Sequence, residues 1–548
     1  MKNLTPMQAA YWTGRQAKGF LGNVSAHLYV EFECGPIDPR RFGAALEKLY
    51  SAHDMMRVKI SSDGHQVIGN AEKSISYQVE DLTGLESDAV VRRLETKRQE
   101  WTGRTLDLEA GQTSAFGLTL LPGGGARMHV DTDMVAIDPP SFCLLMEDLA
   151  QLYEDPDLQP DKDQSRYFDW LTRKAADSDL ADRQSNDKRW WQARLADIAP
   201  APNLPQTTPN QPVHSSRLAT VLSPEQRQSL ERRARVLKIT PSALMLGLFA
   251  AVIGEATGDE RFRLNVPMFW RTPFDLDVDR IVGDFSNILI LSVDPPSELE
   301  LGTFCEHIAE QMRDLLAHST YPGVSVMRDL SRQKQSLQSA PIVFTSGLDV
   351  PGGDLFSERV TRLFGPMIWA VSQGPQVALD AQVAGLDGGL LINWDIRLDA
   401  LPEAWIKAVF GKYVTLVSRL AEDPETLKGR VFAHKVQQSP HSPQYTETTQ
   451  MLQALVERLA PGTVPGEHAR FREIGLSHDD LADLMTFLNR YVPAANLTKD
   501  DLAPDSTIDT AASLIGHRSG GRSEKVARAY LSSIAPEKTD QRHAQPAE

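Results

Sequence analysis

Arg127-Met-His-Val-Asp-Thr-Asp133-Met-Val-Ala-Ile-Asp138-Pro-Pro-Ser141 reads as an alternating strand that passes through a doubled acid into a helix. Before it, Ser114 to Leu121 is apolar-rich and ends at Pro122-Gly123-Gly124-Gly125, which predicts a β-hairpin closed by a glycine turn. After it, Phe142, Leu145, Met146, Leu149 and Leu152 recur at helical spacing, which predicts a helix from about Ser141 to Tyr153. The acids therefore fall in a strand-to-helix connection, where rigid elements hold side chains that can still face a cleft. The candidate residues in this stretch are Asp133, Asp138 and Ser141. Asp138 also precedes Pro139, so a helix N-cap is its simplest reading, and Ser141 reads as a first-turn helix residue.

Strand and helix signals continue on both sides. Ala26 to Phe32 alternates as a strand and Asp38-Pro39 caps a helix through Tyr50, so residues 1–160 form a first mixed α/β lobe. A charged helix carrying Trp190-Trp191 is expected between Arg166 and Leu195, followed by a proline-dense stretch through Pro212. Strands near 218–222, 262–268, 286–293, 341–344, 376–384 and 389–395, with helices near 241–256, 301–318 and 403–421, make 161–435 a connector and second lobe. Residues 436–449 turn to Ser, Pro, Gln, Thr and His, the composition of a linker. Helical spacing returns in 450–520, predicting a small helical bundle, and 521–548 is polar enough to be expected disordered.

The chain of 548 residues is too long for one core. Its 73 acidic against 57 basic residues give a net charge of -16, which argues against a nucleic-acid groove or an anionic membrane surface as partner. Cys34, Cys143 and Cys305 are widely spaced, with no ligand cluster for a metal, and a reducing cytoplasm is the expected setting. The longest apolar run, Pro241 to Gly254, is too short to span a bilayer.

Several separated motifs occur in one order: Leu4-Thr-Pro-Met-Gln-Ala-Ala-Tyr-Trp-Thr-Gly-Arg15; His53-Asp-Met-Met-Arg57; Asp133, Asp138 and Ser141 in a DxxxxDxxS pattern; and Ala201-Pro-Asn-Leu-Pro205. Thr240-Pro-Ser-Ala-Leu244, Gly283-Asp-Phe-Ser286, Pro341-Ile-Val-Phe-Thr-Ser346 and Ser372-Gln-Gly-Pro-Gln376 leading to Asp380 follow. Together these resemble the heterocyclization domains of nonribosomal peptide synthetases, a branch of the condensation-domain superfamily. The resemblance runs from Leu4 to about Phe432. It implies two chloramphenicol-acetyltransferase-like lobes in a V-shaped pseudodimer, with a tunnel in which two carrier-bound substrates meet.

Ordinary condensation domains place a histidine where this chain has Met134, so no imidazole is available there as a base. The resemblance implies instead that Asp380 carries protons in cyclodehydration and that Thr345 positions it or donates to it. It implies a chamber or structural role for Asp133, Asp138, Ser141, Asn265 and Arg271, with Asp138 paired to Arg271. In Asn265-Val-Pro267-Met-Phe-Trp270-Arg271 the chain departs from the family, which usually has threonine at Pro267 and asparagine at Trp270; the proline removes a backbone donor and Trp270 is far bulkier than an amide, so the two changes together are expected to reshape the tunnel and to bear on substrate class and ring closure.

The C-terminal bundle resembles a degenerate carrier protein. In Phe471-Arg-Glu-Ile-Gly475-Leu-Ser477-His-Asp-Asp-Leu481 the family's phosphopantetheine-bearing serine aligns with His478, and Ser477 is the nearby hydroxyl; an N-cap explains Ser477 equally well.

The implied function is a free-standing heterocyclization protein, expected to work in trans. It would join a carrier-bound acyl thioester to carrier-bound Cys, Ser or Thr and close the amide to a thiazoline or oxazoline, as in siderophore assembly. It would bind no cofactor directly. Its partners would be phosphopantetheine-loaded carrier proteins of nonribosomal peptide or polyketide synthetase subunits. Two alternatives stand beside this: a condensation protein that forms the amide without cyclizing, and a catalytically silent docking or scaffold protein.

Overall fold

In the computed structural model all residues are described except 1, 17–20, 23, 161–165, 206, 208–212, 296–298, 350–352, 432–445, 461–469, 473, 499–500, 503–505, 520–521 and 535–548. The chain divides into two compact units, Met1–His434 and Lys435–Glu548.

The first half of unit 1 supplies β1 (Lys2–Asn3), β2 (His27–Cys34), β3 (Val58–Ile60), β4 (His65–Ile68), β5 (Tyr77–Asp81), β6 (Ser114–Leu120) and β7 (Ala126–Asp133). The second half supplies β8 (Ser215–Leu222), β9 (Phe262–Phe269), β10 (Ser286–Val293), β11 (Ile342–Gly347), β12 (Met367–Gln373), β13 (Leu379–Leu386) and β14 (Gly389–Arg397). They form a five-stranded sheet in the order β12-β2-β7-β6-β5, a six-stranded sheet in the order β10-β9-β11-β13-β14-β8, and a small sheet, β1-β4-β3. Both large sheets mix parallel and antiparallel pairs.

The β6–β7 hairpin turns through Gly123 and Gly124, at φ 84° and 89°. Glycine enters that left-handed region without a Cβ clash, which is why the turn is glycine-rich. Alternation along β7 implies one apolar and one polar face, yet every residue of β7 is buried. The reason is a second, polar layer. Arg98 donates to Glu31 at 2.8 Å through both Nε and Nη2, Arg127 donates to the same carboxylate at 3.0 Å, and His129 sits 2.7 Å from the Tyr29 hydroxyl. Burial holds His129 far down, at about 3, so it is a neutral member of this network.

In the second sheet, β13 and β14 form a hairpin around Asp387-Gly388, at φ 51° and 77°. Two consecutive positive φ values make the tight turn that suits strand twist and fixes the register. Beneath the sheet lies the helix Pro241–Thr257, capped by Thr240, whose hydroxyl accepts from the Ala243 amide at 3.1 Å, and closed by Gly258 at φ 73°. Residues 243–254 of that helix are all buried, and Phe249 packs its ring on Phe344, Trp394 and Tyr413. Among the described residues no single helix is long and apolar enough to cross a membrane.

The boundary at residue 160 does not separate the two cores. β12 pairs antiparallel with β2, adding a strand from the second half to the first sheet. Tyr167, Trp170, Phe285, Phe364 and Ala370 likewise belong to the first sheet's hydrophobic core. The single charged helix expected from Arg166 to Leu195 is two helices, Tyr167–Ala176 and Ser178–Gln192. Asp177 breaks the run by turning extended and capping the second helix, its carboxylate accepting from the Leu180 amide at 2.7 Å.

Unit 2 contains helices Thr446–Leu459, His478–Tyr491, Ile508–Arg518 and Arg522–Ile534 around its own core, with Leu452, Phe471, Leu484, Leu488 and Ile515 fully or almost fully buried. Two expectations change. Positions 436–445 of the expected linker lie outside the described residues, but 446–449 already open the first helix, with Thr448 buried. The expected disordered tail contains the helix Arg522–Ile534, which buries Ala527 in the core alongside Val526 and Tyr530. That stripe is too narrow to stand out against the polar composition. Residues 535–548 lie outside the description.

Candidate active site

A cavity of about 590 Å³ opens between the two large sheets of unit 1. Its wall is mostly apolar, from Leu28, Val30, Phe142, Phe269, Phe356 and Met367 among others, while Asn265, Thr345, Asp380, Gln382 and Asn393 bring polar atoms. A large apolar cavity with a few convergent polar groups is the usual form of a binding site.

The β13–β14 hairpin fixes the polar cluster. Its register sets Asp380 opposite Asp395 and Gln382 opposite Asn393, so these four side chains share one face. β11 lies parallel to β13 and places Thr345 beside Gln382. Thr345 Oγ1 donates to Asp380 Oδ1 at 3.0 Å. Gln382 Nε2 donates at 2.9 Å to Asp380 Oδ2 and at 2.9 Å to Asp395 Oδ2. Asp395 Oδ2 also accepts from the Ser372 amide at 2.7 Å and from Asn393 Nδ2 at 3.1 Å. Burial pushes the Asp380 carboxyl up, against hydrogen bonds from Gln382, Ser372 and Thr345 that favour its ionised form. Burial also pushes Asp395 up to about 7. Asp380 is thus a carboxyl shifted upward from its ordinary range and placed beside a hydroxyl donor, the pairing that general acid–base chemistry uses.

The doubled-acid stretch is built differently. Asp133 is fully buried, its Oδ2 accepting from Arg15 Nη1 at 2.8 Å and its Oδ1 from the Val135 amide at 3.0 Å. Burial raises it to about 6 despite the guanidinium. It does not line the cavity. Asp138 caps the helix Pro139–Glu154, accepting from the Ser141 amide at 2.8 Å, from Arg271 Nη2 at 3.2 Å and from the Phe285 amide at 3.0 Å. Ser141 Oγ donates to the Gly283 carbonyl at 2.9 Å and accepts from the Gly283 amide and Arg271. Asp138, Ser141 and Arg271 thus tie the helix Pro139–Glu154 to the 283–285 segment and stay off the cavity wall, whereas Asn265 is on it, donating to the Ala340 carbonyl at 3.0 Å.

Trp270 corrects an expectation. Its side chain is absent from the cavity wall, and instead meets Trp170 at 6.2 Å and Phe274 at 5.8 Å between ring centroids, with Lys174 Nζ 5.0 Å from its ring. Its bulk fills a hydrophobic junction and does not enter the cavity. Pro267 does line the cavity.

Ser477 lies in unit 2 at the start of the helix His478–Tyr491. Its hydroxyl accepts from the Asp480 amide at 3.2 Å and lies 2.6 Å from Asp480 Oδ2, and its own amide donates to that carboxylate at 2.7 Å. This reciprocal capping box engages the hydroxyl.

Asp395 and its amide neighbours carry no motif of their own in the sequence. The signal was present: a two-residue Asp-Gly turn fixes the pairing on either side of it, and counting outward from Asp387-Gly388 sets Asp395 against Asp380.

The condensation-domain profile matches residues 1–435. A phenyloxazoline synthase, MbtB of Mycolicibacterium paratuberculosis, is 41% identical over 420 residues, a span covering 76% of this chain and 36% of that protein. The pyochelin synthetase PchE of Pseudomonas aeruginosa is 31% identical over 423 residues, covering 76% and 29%. The chain therefore spans about a third of the length of these curated relatives. Among solved structures, the cyclization-docking bidomain of EpoB from Sorangium cellulosum matches with a TM-score of 0.69 at 27% identity, over 77% of this chain and 85% of that one. The condensation domain of the monacolin K polyketide synthase MokA, at 16% identity and a TM-score of 0.64, shares the fold.

Proposed function

The chain belongs to the condensation-domain family, and from that premise we propose that it is a heterocyclization enzyme of nonribosomal peptide synthesis. It joins an acyl group held as a carrier thioester to the α-amine of a carrier-bound Ser, Thr or Cys. The side chain of that residue then adds to the new amide carbonyl, and loss of water leaves the five-membered ring. Donor and acceptor arrive on the phosphopantetheine arms of carrier proteins.

The observation that carries this reading is the Thr345–Asp380 pair on the cavity wall, 3.0 Å apart, in a chain with Met134 where condensation domains have a histidine. Ring closure needs a group that accepts a proton from the attacking hydroxyl or thiol and one that returns a proton to the departing oxygen. In this reading Asp380 is the proton carrier, and Thr345 holds its rotamer and donates to it. Asn265 lies on the same wall and is assigned to substrate contact, while Asp133, Asp138, Ser141 and Arg271 are assigned to architecture.

The finer substrate assignment rests on the wall and on the relatives. Apolar and aromatic side chains dominate the cavity, and a 41% identical relative is named for a phenyloxazoline, an oxazoline bearing an aromatic ring. We assign an aryl acyl donor and a Ser or Thr acceptor. Reconstitution with an aryl-loaded donor carrier and a Ser-, Thr- or Cys-loaded acceptor carrier, read by intact mass, tests both levels. The expected product is one water lighter than the linear amide and forms fastest from Ser or Thr. Linear amide alone rejects cyclization, and carriers that bind unchanged reject catalysis. Asp380→Asn is expected to accumulate linear amide, with ring closure down at least 100-fold, the usual scale for loss of a general acid–base group.

A further inference from the structure

Behind Asp380, on the side away from the main cavity, Asp395 is 5% exposed, and its Oδ1 has no hydrogen-bond partner among the described residues. The two acids are direct cross-strand partners, and one amide, Gln382 Nε2, donates to both. A recess of about 10 Å³, lined by Ser215, Ser372, Asp380, Asp395 and Arg397, lies between them, a volume at the lower limit for one water molecule. Strands seldom place two carboxylates opposite one another, because like charges at that spacing repel. A proton held on the pair removes that repulsion.

We propose that Asp395 is a positioning residue for ring closure, which together with Asp380 holds one proton and one negative charge across the β13–β14 ladder. The inference rests on the cyclizing reading of the site given above. The chemistry asks for that state. When the acceptor's hydroxyl or thiol adds to the amide carbon, a new bond forms there, its proton leaves and the carbonyl oxygen takes one up. When the C–O bond then breaks, the hydroxyl leaves as water with one proton, and the nitrogen gives up its own as the C=N bond forms. One proton is accepted and one returned in each half, and no oxidant or reductant is needed. A pair with one proton can start either half without exchange with bulk water.

The charged and titratable groups facing the pair are Arg217, opposite Asp395 on β8, Arg397 with its partner Asp399 at the end of β14, and Tyr11 on the cavity wall. Arg397 donates to Asp399 at 2.7 and 2.6 Å, and Arg217 lies over Trp369 at 5.5 Å, with no direct ion pair to Asp395. Neither cation therefore neutralises Asp395 by contact. Burial and the neighbouring Asp380 raise Asp395, and Arg217 opposes them.

The test is Asp395→Asn, which keeps the acceptor oxygen for Ser372 and Gln382 but cannot hold the charge. Linear amide and ring product are measured in the same reactions from pH 5 to 9, for wild type, Asp395→Asn and Asp380→Asn. With the neighbouring charge gone Asp380 ionises more easily, so the pH limb of ring closure should move down by about one pH unit while linear amide still forms. A merely structural Asp395 would lower the amplitude and leave the limb in place, and that result overturns the proposal. The cyclizing reading fails separately: if wild type forms no ring, or if Asp380→Asn closes it normally, both ideas fall; if Asp380→Asn is blocked and Asp395→Asn keeps the wild-type limb, this one alone falls. Should Asp395→Asn not fold, infrared difference spectra of wild type against Asp380→Asn decide. A protonated-carboxyl band at pH 7 that the substitution removes or displaces supports the pair, and spectra without one overturn it.

Discussion

Asp284 is the most perturbed acid that the proposed chemistry leaves unused. It is buried beside Asp138, and burial first, with that neighbouring charge, pushes it up to about 8 although Ser286 hydrogen-bonds its carboxylate. A carboxyl that titrates higher in the folded chain than in the unfolded one, where it lies near about 3.9, takes up a proton on folding. Its contribution to stability is therefore greatest below pH 4 and is lost as the pH rises toward 8. Denaturant unfolding of the protein across pH 5 to 7 should show that slope, and Asp284→Asn should flatten it by up to about 1.4 kcal/mol per pH unit. Equal slopes in the two proteins would mean that Asp284 is ionised in the fold. Arg15 answers a related question at Asp133. Removing one partner of a buried pair strands the other, so Arg15→Ala should cost about 3 kcal/mol at pH 8 and less at pH 5, where Asp133 is protonated.

At the scale of elements, caps and turns were the most legible features. Asp138-Pro139 and Thr240-Pro241 each begin a helix as their residue types require, and the glycine turn after Leu121 closes a hairpin. What could not be read is what covers a strand. The polar face of β7 looks solvent-directed in sequence, and only the arrival of Arg98 and Glu31 from distant elements makes it internal. Trp270 was misplaced for a related reason, since a bulky side chain next to a tunnel residue says nothing about which way it turns. Its rings and Lys174 form a packed junction, so Trp270→Asn should destabilise unit 1 by roughly 2 kcal/mol, as for a half-buried large-to-small change. The same variant should leave the ratio of ring product to linear amide within about twofold. A large fall in that ratio would mean that the junction shapes the chamber after all.

The Ser477 capping box belongs to the same scale. Ser477→Ala should cost unit 2 about 1 kcal/mol by loss of the N-cap. Incubation of the wild-type protein with a phosphopantetheinyl transferase and coenzyme A should give no mass gain, because the Ser477 hydroxyl is engaged by Asp480. A gain that Ser477→Ala abolishes would make the module a working carrier.

For the whole molecule, the order of motifs carried the family and the two-lobe architecture, and hydrophobic spacing carried most of the helices. The candidate site was half legible: Thr345 and Asp380 stood out by resemblance, whereas Asp395 emerges only when hairpin register is followed across two strands. The exchange of β12 was invisible, because a strand in sequence names no sheet.

That exchange has a consequence for synthesis. β2 ends at Cys34 and its outer partner β12 begins only at Met367, more than 300 residues later. At about 5 to 20 residues per second a ribosome takes roughly 20 to 70 s to cover that distance. Throughout that interval the first sheet has an unpaired edge, which is an invitation to aggregate with neighbouring nascent chains. Ribosome-associated chaperones should therefore engage this nascent chain until β12 emerges.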